Sequence, residues 1–101
     1  MDKNDFKPDT RYTITWRSPD GKVQAANIYV HRAHDHFLVV RFTGADAVLR
    51  KITYPEVLKI VAVKTVAPND RASVPPALLD ETTWRDRVVM EHYSSSPRHG
   101  K

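Results

Sequence analysis

From Arg11 to Arg17 polar and apolar residues alternate, with Tyr12, Ile14 and Trp16 on one parity and Thr13 and Thr15 on the other. A period of two predicts a half-buried strand. Ser18-Pro19-Asp20-Gly21 ends it, because proline presets the second turn position and glycine takes the left-handed position that closes a three-residue loop. That loop sets Ile14 opposite Ala26 and Tyr12 opposite Ile28. A second three-residue loop at Ala33-His34-Asp35 would set Val30 opposite Leu38, Ile28 opposite Val40 and Ala26 opposite Phe42. Two-residue loops would bring Arg41 onto the same face, and a one-residue slip exchanges the faces of a strand. Both hairpins therefore assign Tyr12, Ile14, Ala26, Ile28, Val30, Leu38, Val40 and Phe42 to the core.

Gly44-Ala45-Asp46 predicts a third turn and Ala47–Thr53 a fourth strand, whose register the neighbours Arg50 and Lys51 leave open. Thr53-Tyr54-Pro55-Glu56 has capping-box spacing with an early proline, so one helical turn is expected at Pro55–Leu58. The β-branched residues that follow predict a fifth strand over Lys59–Val66. Residues 1–10 lack any period and read as a flexible end. Pro68, Pro75 and Pro76 mark residues 67–80 as a linker. Glu81–His92 reads as a short helix, with Trp84 and Val88 four apart and Glu81 able to pair with Arg85. A strand at Arg87–Tyr93 is the rival, since Val88, Met90 and His92 alternate. Residues 94–101 form a basic tail. The expected fold is mainly β: a small five-stranded antiparallel barrel or strongly bent sheet over residues 11–66, with a C-terminal helix at 81–93 packed on it.

Three sequential strands, a fourth, one helical turn and a closing strand resemble the small barrels of the Sm-like and Src-homology classes. The resemblance covers residues 11–66 and includes Tyr54-Pro55-Glu56-Val57 before the last strand. Sm-like nucleotide pockets depend on a loop asparagine and on a glycine after an arginine near the fourth strand; here Lys51 follows Arg50. The proline-peptide groove of Src-homology domains needs an early run of tyrosines and an acidic loop, which this chain lacks. The resemblance thus implies architecture and carries no binding residue across.

Charge sharpens the picture. Residues 11–66 hold nine cations against four acids, whereas the flanks hold seven against eight. The net charge of +4 permits attraction to nucleic acid, and equally serves plain solubility. At 101 residues the chain is long enough for one core. Without cysteine, disulfides and thiol chemistry are excluded. The longest apolar runs, Phe37–Val40 and Ile60–Val63, are too short to span a bilayer, so a cytoplasmic protein without a membrane partner is expected.

His31, His34 and His36 are the candidate metal ligands. The expected register spreads them over the outer face, the turn and a position opposite Arg32, so a polar hairpin tip is the better reading and no metal or other cofactor is expected. No serine lies in a nucleophile elbow, no phosphate-cradling glycine loop exists, and the acids are scattered, so a catalytic role finds no support. The remaining candidate is the outer sheet face, where Arg11, Thr13, Asn27, Tyr29, His31, Phe37, Val39 and Arg41 gather. Arginines beside aromatic rings can track phosphates while bases stack, which makes Arg11, Asn27, Tyr29, Phe37 and Arg41 candidate RNA or single-stranded-DNA contacts. Alternatively Tyr29, Phe37 and Val39 form a second buried face, covered through Leu78, Leu79, Trp84 and Val88. Two functions are therefore expected, a low-specificity nucleic-acid-binding module or an adaptor that docks a protein partner through an open strand edge or its tails, and behind both stands a metal- or pH-responsive role through the His31–His36 hairpin.

Overall fold

A computed structural model of the protein describes residues 1–43 and 48–90. Its strands are β1 (Thr10–Arg17), β2 (Val23–Ala33), β3 (Phe37–Phe42), β4 (Leu49–Thr53), β5 (Val57–Thr65) and β6 (Val89–Met90). They form one antiparallel sheet in the order β5-β1-β2-β3-β4-β6.

The first hairpin has the expected register, with Ile14 opposite Ala26 and Tyr12 opposite Ile28. Gly21 sits at φ 87° and donates its N–H to the Ser18 carbonyl. The second hairpin departs from expectation. Its tip is tighter, with Asp35 and His36 at the end and His34 N–H donating to the Phe37 carbonyl at 2.8 Å. Alone, that change would turn apolar side chains to the wrong face. A bulge between Val30 and Arg32 restores the parity, so Val30 faces Val40 and Ile28 faces Phe42. The pairing is displaced by two residues while every face assignment is kept. Burial of an apolar face sets parity strictly and absolute register less so.

The sheet is open, and this corrects the expected five-stranded barrel. In a closed barrel β4 would meet β5. Here the free edge of β4 is occupied by the C-terminal strand: Leu49 faces Met90, Arg50 faces Val89, and Lys51 N–H donates to the Val88 carbonyl at 2.8 Å. Among the described residues β5 pairs with β1 alone and its other edge has no strand beside it. The expected turn before β5 is present as a 3₁₀ turn at Tyr54–Glu56, with both the N–H and the hydroxyl of Thr53 donating to Glu56 Oε1 at 2.8 and 2.9 Å.

The expected C-terminal helix is also corrected. Glu81–Trp84 forms a single 3₁₀ turn, after which the chain passes into β6. Lys51 Nζ donates to the Trp84 carbonyl at 2.6 Å and ties the end of the turn to β4, and β-branched Val88 and Val89 favour the extended strand. The rival strand reading was therefore nearer for residues 89–90; positions 91–93, the remainder of the expected helix, the 94–101 tail and the Gly44-Ala45-Asp46 turn lie outside the described residues. The linker at 67–80 carries 3₁₀ turns at Pro68–Asp70 and Pro76–Leu79.

Two apolar clusters result. The inner one joins Tyr12, Ile14, Trp16, Ile28, Val30, Leu38, Val40, Ile52, Tyr54 and Val57 with Phe6. Phe6 lies in the aperiodic N-terminal stretch, which gives no signal of this burial, and its ring meets Tyr12 edge-on at 4.9 Å. The outer cluster joins Phe37, Val39 and Leu49 with Leu79, Trp84 and Met90.

Candidate nucleic-acid interface

Every residue expected on the outer face is placed there, but the face is divided. On one side of it the registers align Lys64, Arg11, Tyr29 and Arg41 in a single row across β5, β1, β2 and β3. The next row brings Ala62, Thr13 and Asn27 together, with Thr43 N–H donating to the Asn27 carbonyl at 2.9 Å. Thr13 Oγ1 donates to Asn27 Oδ1 at 2.6 Å, so the amide nitrogen of exposed Asn27 remains a donor. Arg11, Thr13, Asn27, Thr43 and Lys64 line a hollow of about 200 Å³. The two-residue displacement of β3 moves Arg41 from the expected place beside Asn27 to a place beside Tyr29.

Arg11 and Lys64 stand directly opposite one another on neighbouring strands. Like charges in that position repel. Among the described residues the salt bridge is Lys3–Asp35, 2.7 Å, far from this row, so no described carboxylate pairs with Arg11, Arg41 or Lys64. Spacing between strands of about 4.8 Å gives the row a span of roughly 14 Å.

The aromatic part of the candidate set is inside. Tyr29 is 2% exposed and Phe37 7%. Leu78, Leu79 and Trp84 cover this side of the sheet as the covered-face alternative expected, whereas Val88 remains exposed. Trp84 Nε1 donates to the Leu78 carbonyl at 2.7 Å, and Lys51 lies 5.3 Å from the Phe37 ring centroid. Lys51 thus points outward while Arg50 lies over Phe42 on the inner side, which settles the register that the sequence left open. Tyr29 ties the covering segment down: its hydroxyl donates to Asp9 Oδ1 and accepts from Ala72 N–H at 3.0 Å. Burial, helped by the Asp9 bond, pushes the Tyr29 phenol up to about 12.

The histidines diverge. His31 is buried and its Nε2 accepts from Arg41 Nε at 3.2 Å. His34 Nε2 donates to the Leu79 carbonyl at 2.7 Å, and His36 is exposed at the hairpin tip. Two ring nitrogens that a metal would need are already engaged, and among the described residues no three His, Asp or Glu side chains converge. Lys64 belongs to the basic face but escaped sequence reasoning, because β5 could not be aligned with β1 from the sequence: two bulges interrupt that pairing. Thr43 was missed because the two-residue displacement of β3 brings it beside Asn27. No known protein family, curated protein or solved structure matches the chain. Among the described residues no helix is long and apolar enough to cross a membrane.

Proposed function

We propose that the protein is a non-enzymatic binding module for single-stranded nucleic acid, held through its phosphates by Arg11, Arg41 and Lys64 with Asn27 as a neutral donor. The observation that supports this reading is the cross-strand cation row, in which Arg11 and Lys64 repel unless an anion lies between them. With Tyr29 and Phe37 buried, base stacking plays no part, so recognition follows charge and is indifferent to sequence. An NMR titration with mixed single-stranded RNA and DNA tests it. The expected result is shifts at Arg11, Asn27, Arg41 and Lys64 at low salt that fade at moderate salt; no shift at these positions would overturn it.

A second reading, a protein-interaction adaptor, rests on the β5 edge. Val61 and Val63 are 57% and 61% exposed on a strand with one edge unpaired among the described residues. An extended segment added there would bond to the backbone and cover both valines. Such binding would change little with salt, which separates the two readings.

A further inference from the structure

A cavity of about 540 Å³ lies beyond the Tyr29–Arg41 end of the cation row, between the N-terminal segment, the end of β2 and the segment around Ala72–Val74. Its size falls within the usual range of small-molecule sites. Phe6, Val74 and Leu79 supply an apolar lining, while His31 and Arg32 supply polar groups. Tyr29 holds the surrounding pieces together through Asp9 and Ala72. Asp9 itself adopts φ 54°, an uncommon left-handed conformation fixed by its N–H bond to the Val30 carbonyl at 2.7 Å.

His31 gives the cavity its chemistry. The ring is 6% exposed. Arg41 Nε–H can only donate, so Nε2 must accept and the ring proton resides on Nδ1. Burial first, and then the Arg41 charge, lower the imidazole to about 4, so the ring is neutral near pH 7. Nδ1–H has no partner among the described residues. The His31 ring lines this cavity. Arg32 is exposed at the same cavity and has no carboxylate partner among the described residues. The other acid and base of the lining are engaged, Asp9 by the Tyr29 hydroxyl and Lys3 by Asp35.

We infer that this cavity binds a small amphipathic carboxylate, its acid group between the Arg32 guanidinium and His31 Nδ1–H and its carbon chain over Phe6, Val74 and Leu79. A guanidinium with a fixed neutral donor recognises a carboxylate by charge-assisted hydrogen bonds, and the apolar lining rewards a carbon chain. The cavity touches the proposed nucleic-acid face through the Arg41–His31 bond, but Arg32 and the apolar lining lie outside the cation row, so loss of hexanoate binding in Arg32→Ala reads on the cavity alone.

The test is an NMR titration of the full chain with sodium hexanoate, with hexylammonium as the control of opposite charge. Saturable shifts at Phe6, Ala33, Ala72 and Val74, together with a shift of the His31 Nδ1 resonance, are expected with hexanoate and not with hexylammonium. Arg32→Ala removes an exposed side chain and leaves the fold intact; it should weaken hexanoate binding about tenfold or more, the worth of a charge-assisted hydrogen bond. Equal response to both probes, no saturation, or a titration unchanged by Arg32→Ala would overturn the inference.

Discussion

The inner face of the sheet is filled by the strands' own side chains, whereas the outer face is covered in part by a segment with almost no regular structure. Inside, the apolar residues come from the alternation of successive strands, apart from Phe6 of the N-terminal segment and Tyr54 of the 3₁₀ turn before β5. Outside, Phe37 and Val39 are covered by Leu79 and Trp84, which stand in single 3₁₀ turns and are held by side-chain bonds to backbone carbonyls. The difference has a functional consequence. The covering segment reaches Phe37 and Tyr29 but leaves Arg11 and Lys64 exposed. One face thereby carries both a second core and a basic surface.

Several substitutions would break or sharpen this contrast. The largest effect is expected from Trp84→Ala, which empties the centre of the outer cluster and should cost about 3–5 kcal/mol in urea denaturation. Amide exchange should rise first at Lys51, whose N–H is bonded to Val88. Loss of protection equally across both faces would show that they are not separate units.

Next comes the pH dependence of His31, which sits on the outer face beside Tyr29 and Arg41. Its folded value of about 4 lies below the ordinary 6.5. Between these values the unfolded chain binds the proton and the folded chain does not, so stability falls as the pH is lowered from 6.5 toward 4. Above 6.5 the contribution is complete. The loss should be on the order of 3 kcal/mol, and His31→Phe should flatten the slope in that window. A wild-type profile already flat between those values would contradict the burial of a neutral ring.

A smaller effect is expected where the inner face closes. Glu56→Gln replaces the charged acceptor for Thr53 and should cost about 1 kcal/mol, read from the same denaturation curves. The smallest is Trp16→Phe. Trp16 Nε1 is buried without a partner among the described residues, so losing it should cost less than about 1 kcal/mol. Trp84→Phe, which leaves the Leu78 carbonyl without its donor, should cost more. The reverse order would mean that the two tryptophans have been assigned the wrong surroundings.

The inner face was legible because parity carries it. Tyr12, Ile14, Ile28, Val30, Leu38 and Val40 fall on one side whichever loop length joins β2 to β3, provided a bulge compensates. The bulge itself was hidden: nothing in His31-Arg32 marks it, and it appears only when the tight tip must be reconciled with the core. The outer cluster was visible as a set of residues, Leu78, Leu79 and Trp84, but not as a conformation. Helical spacing at Glu81–Val88 competed with β-branching at Val88–Val89, and the deciding contacts, Lys51 to the Trp84 carbonyl and β4 to β6, are distant in sequence. The candidate site was half legible for the same reason. Arg11, Asn27 and Arg41 follow from the parity of three strands, whereas Lys64 depends on how β5 meets β1.

The division of the outer face into a covered aromatic part and an open cationic part is tested most directly by the salt dependence of binding to a single-stranded RNA. Three phosphate-neutralising cations predict that log K falls against log salt with a slope of about −2, and Arg11→Ala should make it shallower by about 0.7. A slope near zero, or one that Arg11→Ala leaves unchanged, would contradict the account.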